Sequence, residues 1–304
     1  MQLSEAIKAL CIATRADGRS PRTVAAYREK LGHLVRFLGD PPVDTITVHD
    51  LRRYIAVQHD QGLSPFTVAS RVRALKRLFN WLCAEGVLSD SPARRIKTPR
   101  PPRTEPKGIS TADLAALLRT TEGKSLADLR DRAVILFLAD TGCRAGGLCG
   151  LRVQDVDLDA MRATVTEKRN KTRAVFFTEP TRGALAAWLD VRPSGKGPWV
   201  FVGLGPRGKG ALTPSGLLQL LKRRGERAGV TGAVNPHAFR HALARHFLLD
   251  GGDIGVLCDL MGHTDVSVTK QFYAIFEVGE LQRKHRQHSP VMGLLGGKDD
   301  NGNR

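Results

Sequence analysis

Near the end of the chain, two histidines, an arginine and a tyrosine have types and spacing suited to phosphoryl chemistry. His237 and Arg240 are three positions apart, and Asn235 before them is a good helix N-cap, so both side chains are expected on one helix face. A guanidinium binds phosphate oxygens as a fork, and an imidazole transfers protons near neutral pH. A phenol becomes a covalent nucleophile once a base takes its proton, so Tyr273, with His263 before it, completes a set suited to transfer through a phosphotyrosine. A His-x-x-Arg pair alone is more often a solvated helix face. The residues upstream therefore determine whether a functional interpretation is justified.

Two further basic residues lie upstream of this stretch. Arg144 follows an apolar helical segment and a glycine, and a helix end would hold its guanidinium in a fixed place. Lys168 lies in a basic turn between two short strand-like segments, which predicts a hairpin with this lysine at its tip. Of the three tyrosines, Tyr27 and Tyr54 fall on apolar helix stripes where packing accounts for them, which leaves Tyr273 as the candidate nucleophile.

The order of these residues resembles that of the tyrosine recombinases, also called the phage integrase family. In chain order, the catalytic set of that family is an arginine, a hairpin lysine, His-x-x-Arg, a second histidine after a glycine, and a tyrosine. In this chain the pattern falls on Arg144, Lys168, His237, Arg240, His263 and Tyr273. No single piece is specific, but all six occur in order with family-like spacings.

The chain departs from the family pattern at two places. Many members have an acidic residue three positions after the first arginine, where this chain has Gly147, so whatever that carboxylate supports must come from elsewhere or be missing. The gap from His263 to Tyr273 is one residue longer than in the commonest pattern, although longer gaps occur in the family. Neither departure removes a catalytic group.

The resemblance implies a site-specific recombinase that cuts and rejoins duplex DNA without a cofactor or a metal. Tyr273 would attack the scissile phosphate, leaving a 3′-phosphotyrosyl link and a free 5′-hydroxyl. Arg144 and Arg240 would bind the phosphate oxygens. Lys168 would protonate the leaving 5′-oxygen, and His237 would take the tyrosine proton. The second histidine is expected to contact the phosphate or to orient the tyrosine.

The composition favours a nucleic-acid partner over a membrane. Lysine and arginine total 47 against 30 acidic residues, giving a formal charge of +17 and a pI near 10.2, and such an excess attracts polyanions. No apolar run approaches the ~20 residues of a spanning helix, and the first residues have no signal-peptide layout. The five cysteines are odd in number and include no Cys-x-x-Cys pair, which indicates a reducing compartment without disulfides. No cysteine or carboxylate completes a metal site with His237, His241 and His246.

The sequence predicts a fold that is mainly α with a small β-sheet. Residues 1–92 are predicted to form an all-helical domain, with helices capped at Ser20 and Ser64 and a capping box from Thr47 to Asp50. The resemblance makes this domain the core-binding half of a clamp around DNA. Phosphate contacts are predicted for basic residues of its last helix and of the following linker, namely Arg71, Arg73, Lys76, Arg77, Arg100 and Arg103.

The rest of the chain is predicted to hold a linker, a catalytic domain and a C-terminal segment. Residues 93–108 form a linker rich in proline and arginine, because dense prolines forbid a helix. Residues 109–274 form an α+β catalytic domain. Its strands are predicted at 163–166, 174–177 and 199–202. Residues 275–304 are predicted to form a helix followed by a disordered end, and the resemblance implies that this segment docks on a neighbouring protomer.

The resemblance is to the minimal two-domain type of this family. It implies duplex DNA with inverted-repeat core sites as the substrate, and a homo-oligomer on DNA, from dimer to tetramer. An accessory directionality factor is a further partner that it allows. The resemblance also implies that the protein is encoded by a prokaryotic cell, a phage or a mobile element. We therefore expect it in the cytoplasm at the nucleoid, with no membrane partner.

Three other functions stay open on the sequence alone. A relative without strand exchange would be a sequence-specific DNA-binding protein, although the complete catalytic set argues against it. A type IB-like topoisomerase would use the same chemistry as a monomer. An ATP-dependent enzyme would use the loop 203–210, which matches Gly-x-x-x-x-Gly-Lys. In that loop Gly210 replaces the hydroxyl that binds magnesium, and the next helix is predicted only after Thr213, so a basic surface loop is the better interpretation.

Overall fold

A computed structural model describes residues 1–102, 108–167, 171–205 and 210–262, together with His285. The chain divides into two compact units, Met1–Thr104 and Glu105–Arg304. Most of the described chain is helical, with a three-stranded sheet in the second unit, so the predicted fold class is confirmed. No described helix is both long and apolar enough to cross a membrane.

The first unit is built from helices whose starts are fixed by side-chain caps. They are α1 (Leu3–Ala16), α2 (Pro21–Leu38), α3 (Val48–Asp60) and α4 (Pro65–Ala84). As predicted, the hydroxyls of Ser20 and Ser64 each accept a backbone amide in the first turn of α2 and α4. Thr47 and Asp50 form the predicted capping box of α3. Each cap satisfies amides that the helix itself leaves unbonded.

The apolar stripe of α4 forms the centre of the first core. Its predicted inward side chains are all buried: Val68, Val72, Leu75, Leu78, Phe79 and Leu82. They pack with buried residues of α1, α2 and α3. Ala93 and Ile96 are buried in the same core, so the first residues of the segment predicted as a linker remain part of this unit. Residues 97–102 follow without regular secondary structure.

The second unit contains the sheet and a further set of helices. Its described elements are α5 (Thr111–Arg119), α6 (Leu126–Thr141), α7 (Ala145–Cys149), β1 (Val156–Asp157), β2 (Arg162–Thr166), β3 (Thr172–Phe176), α8 (Glu179–Val191), α9 (Pro214–Arg227), α10 (Pro236–Leu249) and α11 (Ile254–Met261). The strands are antiparallel in the order β1-β2-β3, with Ala163 opposite Val175. Side chains of β2 alternate between exposed and buried, so one face of the sheet lies on the core. The helix α6 packs against α8 and α10.

The prediction of a strand at 199–202 is wrong, because side chains bind most of the backbone carbonyls there. The carbonyl oxygen of Trp199 accepts a hydrogen bond from the Arg192 guanidinium (2.8 Å). That of Val200 accepts one from the indole of Trp188 (2.8 Å). In the described part of this segment only isolated β-bridges form. The helix that follows does begin after Thr213, as predicted.

Candidate active site

Arg144 lies at the junction of two helices. α6 ends at Gly142, whose left-handed conformation (φ +53°) reverses the chain direction. Arg144 is then the N-cap residue of α7, a helix that the sequence pattern does not predict. Its side chain is 35% exposed, so Arg144 is partly accessible to solvent.

Arg240 is buried on α10 and joins three elements. Its guanidinium donates to the carbonyl oxygens of Gly142 (2.7 Å) and Met261 (2.5 Å), which lie at the ends of α6 and α11. Burial lowers the pKa of Arg240 to about 10, and the nearby charges of Arg144 and Arg173 lower it as well. The group still carries its charge at neutral pH. Arg240 is therefore a fixed positive charge beside the turn that leads to Arg144.

A carboxylate outside the predicted set connects the arginines. Glu167 follows β2, and its side chain is only 5% exposed. It accepts the backbone amide of Arg144 (3.0 Å) and the Arg144 guanidinium, and it also accepts the Arg173 guanidinium (3.3 Å). Burial acts to raise the pKa of Glu167, but the Arg144 amide and the surrounding guanidinium groups outweigh burial and hold the pKa below its ordinary value. The group is thus an anion at neutral pH. The signal in the sequence is that Glu167 is the one acidic residue in the basic turn around Lys168.

Arg173 joins β3 to the end of α11. Its guanidinium donates to the carbonyl oxygen of Leu260 (2.6 Å) as well as to Glu167. Gly262 ends α11 in a left-handed conformation, as predicted for the residue before the second histidine. A Cβ atom on Gly262 would lie 2.6 Å from Cδ of Arg173, so a side chain there would displace Arg173 and strain the left-handed backbone.

The helix α10 holds its two predicted catalytic groups at different depths. The predicted N-cap is confirmed, since the side chain of Asn235 accepts the amide of Ala238 (3.0 Å). His237 is exposed in the first turn, whereas Arg240 is buried. His241 is half-buried, and burial lowers its pKa, with further lowering by His237 and Arg240. An accessible imidazole suits proton transfer, and a buried guanidinium suits a fixed charge.

The remaining predicted catalytic residues, Lys168, His263 and Tyr273, lie outside the described residues. The same holds for the C-terminal segment 275–304 apart from His285. The structure does bring Arg144 and Arg240 close together around the end of α6.

Burial disfavours the thiolate form of the two cysteines that flank Arg144 in sequence, Cys143 and Cys149. Burial raises the pKa of Cys143 to about 11 and that of Cys149 to about 12. Both thiols are therefore protonated at neutral pH, and the reactive form of cysteine is the thiolate.

The basic residues predicted to contact DNA differ in their accessibility. The exposed ones are Arg73, Arg77 and Arg100. Lys76 is half-buried, and Arg103 lies outside the described residues. Arg71 donates to Gln58 (3.2 Å), and its guanidinium lies 3.1 Å from Nε2 of His33. Arg71 is thus engaged within its own unit, while the exposed arginines remain available to a phosphate.

The chain matches two protein-family models and many curated relatives. The model described as "Phage integrase family" matches residues 108–277, and that described as "Phage integrase, N-terminal SAM-like domain" matches residues 14–86. Tyrosine recombinase XerC of Alcanivorax borkumensis is 34% identical over 259 residues, which cover 83% of this chain and 83% of that protein. Tyrosine recombinase XerD of Mycobacterium leprae is 33% identical over 283 residues, which cover 86% of this chain and 88% of that protein.

Solved structures are similar over nearly the whole chain. XerA recombinase is 26% identical with a TM-score of 0.53, covering 94% of this chain and 98% of that one. The Tn1549 transposon integrase, solved in complex with transposon right end DNA, has a TM-score of 0.76 at 19% identity, covering 94% of this chain and 99% of that one. At this identity the second likeness is one of fold.

Proposed function

Since this chain belongs to the phage integrase family and is a tyrosine recombinase, we propose that it cuts and rejoins duplex DNA through a covalent link on Tyr273. The observation that carries this proposal is the pair Arg144 and Arg240 beside the Gly142 turn, with the accessible His237 on the helix of Arg240. The lysine, the second histidine and the tyrosine are assigned by their order in the sequence.

Arg144 and Arg240 would bind the non-bridging oxygens of the scissile phosphate. The two carbonyl contacts of Arg240 orient its guanidinium before DNA binds, and the partly exposed Arg144 is open to the phosphate. Positive charge that is already oriented stabilises the transition state strongly, because little reorganisation is needed during the reaction. The two arginines would therefore act mainly on the rate of cleavage.

The reaction would begin with attack of the Tyr273 oxygen on phosphorus. His237 takes the phenolic proton, the bond from phosphorus to the 5′-oxygen breaks, and Lys168 gives that oxygen a proton. The products are a 3′-phosphotyrosyl link and a free 5′-hydroxyl. A 5′-hydroxyl of a partner strand then attacks the link and releases the tyrosine. One phosphoester bond forms for each that breaks, so the reaction needs no ATP.

For the substrate we propose duplex DNA with inverted-repeat core sites, bound by several copies of the chain. Each copy brings one Tyr273, so four copies are needed to cut both strands of two duplexes. Structures with this fold include a lambda integrase dimer bound to a core site and XerH recombinase bound to a palindromic substrate. The charge of +17 fits such a partner.

The proposal is tested with nicked duplexes drawn from the DNA that flanks the gene of this protein. We expect wild type to form a protein–DNA adduct that survives SDS, and Tyr273→Phe to bind the DNA without forming one, because it lacks the attacking oxygen. Tyr27→Phe is the matched control, since Tyr27 lies on α2 in the first unit, and it should form the adduct.

Two other outcomes would change the assignment. An adduct with Tyr273→Phe would mean that another residue is the nucleophile. Salt-sensitive DNA binding with no adduct from any of the three proteins would make the chain a DNA-binding protein without strand exchange.

A further inference from the structure

The side chain of Glu167 occupies the space next to Gly147. Gly147 is buried in α7. A Cβ atom built on Gly147 would lie 3.3 Å from Cγ of Glu167 and 3.6 Å from its Oε1. A longer side chain at position 147 would therefore enter the volume that the Glu167 side chain now fills.

The position of Gly147 in α7 also defines what an acidic residue would do there. Arg144 is the N-cap of α7, so position 147 is the third residue of the helix. In a capping box, an acidic side chain at that place reaches back and accepts the backbone amide of the N-cap residue. In this chain the Arg144 amide donates to Glu167 instead, at 3.0 Å. Glu167 thus makes, from the end of β2, the hydrogen bond that an acidic residue at 147 would make from within the helix.

Glu167 also balances the charges around it. The guanidinium groups of Arg144, Arg173 and Arg240 all act on this carboxylate, and Glu167 offsets one of their three positive charges. Because its side chain is out of water, these interactions are only weakly screened. Contacts to both the amide and the guanidinium of Arg144 restrict that residue to few conformations.

We propose that Glu167 is the residue that positions Arg144 for the scissile phosphate, in place of the acidic side chain that α7 lacks at Gly147. This inference rests on the proposed function, since it concerns an arginine of the same site. In this proposal Glu167 is a positioning residue that acts through Arg144, which it contacts at both the backbone amide and the guanidinium.

The test moves the carboxylate from one position to the other. Cleavage of a nicked duplex is compared for wild type, Glu167→Gly, the double variant Gly147→Glu/Glu167→Gly, and Gly147→Glu. We expect Glu167→Gly to form the adduct roughly 100-fold more slowly, because a misplaced catalytic group costs about that factor. The double variant should regain at least about tenfold of this loss, since the carboxylate returns to the same amide by the shorter route. Gly147→Glu alone should be slow, because two carboxylates then crowd one space.

Thermal melting and DNA affinity are measured for each variant, so that a loss of fold is separated from a loss of positioning. Glu167→Gly with the cleavage rate of wild type would overturn the proposal. A faster rate would overturn it too, because the carboxylate would then be competing with the phosphate for Arg144. The same conclusion follows if the folded double variant is no faster than Glu167→Gly.

Amide hydrogen exchange of Arg144 supplies a readout that does not depend on cleavage. We expect this amide to be protected in wild type and in the double variant, and to exchange faster in Glu167→Gly. If wild type forms no adduct, the proposed function fails, and the exchange rates still decide about Glu167. Equal exchange in all the variants would overturn the positioning role.

Discussion

The buried carboxylate of Asp131 stabilises the second unit by pairing with two arginines. It is 0% exposed, with Arg130 bonded to one oxygen (2.7 and 2.9 Å) and Arg224 to the other (2.8 Å). Both guanidinium groups are themselves buried. Removing one partner of a buried ion pair leaves an uncompensated charge, which costs far more than an exposed pair contributes.

We therefore expect Asp131→Asn to lower the free energy of unfolding of the second unit by about 3–5 kcal/mol. Denaturant unfolding can be followed by fluorescence in a Trp81→Phe background. The two tryptophans that remain, Trp188 and Trp199, both lie in that unit.

The matched control for Asp131 is Glu226→Gln on α9. Its ion pair with Lys222 is exposed (65% and 78%), so this change should alter stability by less than about 1 kcal/mol. If Asp131→Asn and Glu226→Gln lowered the free energy of unfolding equally, the buried ion pairs of Asp131 would not be stabilising in the way we expect.

Functional residues that lie in a short sequence pattern can be predicted from the sequence, whereas residues paired over long distances cannot. Arg240 belongs to a four-residue motif and is predicted from it. Glu167 is 23 positions from the Arg144 that it holds, and Asp131 is 93 positions from Arg224. Neither pairing leaves a local pattern, because folding alone brings the partners together.

Gly142, the C-cap residue of α6, affects the positions of both Arg144 and Arg240. Gly142 has a φ of +53°, and its carbonyl oxygen orients Arg240. A Cβ atom on Gly142 would lie 3.1 Å from Cδ2 of Leu243 and 3.4 Å from Cε of Met261. A side chain there would be strained by its backbone and would press on its neighbours.

For Gly142→Ala we expect a loss of about 1–2 kcal/mol from the left-handed conformation, and adduct formation slowed about tenfold because the Arg240 acceptor shifts. Gly229→Ala separates the two effects, since Gly229 also has a positive φ (+70°) but no atom within 4 Å of the added Cβ. It should lose similar stability and cleave like wild type. Cleavage losses of the same size in both variants would mean that strain alone, and not Arg240, is responsible.

Elements that are specified locally are the ones the sequence predicts. The helices α2, α3 and α4 carry their caps and apolar stripes in their own sequence. In contrast, α7 is too short to show a periodic pattern, and β1 exists only through pairing with β2. The apolar run 199–202 has the composition of a strand, but side chains from elsewhere in the chain bind most of its carbonyls.

For the molecule as a whole, the sequence alone yields the net charge and a mainly helical fold, because both follow from composition and local pattern. A charge of +17 attracts DNA without choosing where the DNA lies. The exposure of individual arginines limits which parts of the surface can contact the DNA. Arg73 and Arg77 are exposed one turn apart on α4, and we propose both as phosphate contacts.

Salt dependence distinguishes a contact from general attraction. Each phosphate contact lowers the slope of log affinity against log salt by about 0.9, because it releases condensed counterions. We expect Arg73→Ala/Arg77→Ala to make this slope shallower by about 2. The control Arg162→Ala/Arg182→Ala removes the same formal charge, from residues that pair with Asp157 and Glu179.

Fluorescence anisotropy of a labelled duplex, titrated across a range of KCl concentrations, gives both slopes. At about 0.1 M salt the Debye length is about 10 Å, so a charge that does not lie against the DNA is largely screened. The control should therefore keep the wild-type slope, although its net charge is reduced equally. Equal changes in both double variants would show that only net charge matters, and an unchanged slope for Arg73→Ala/Arg77→Ala would place the phosphate contacts on other residues.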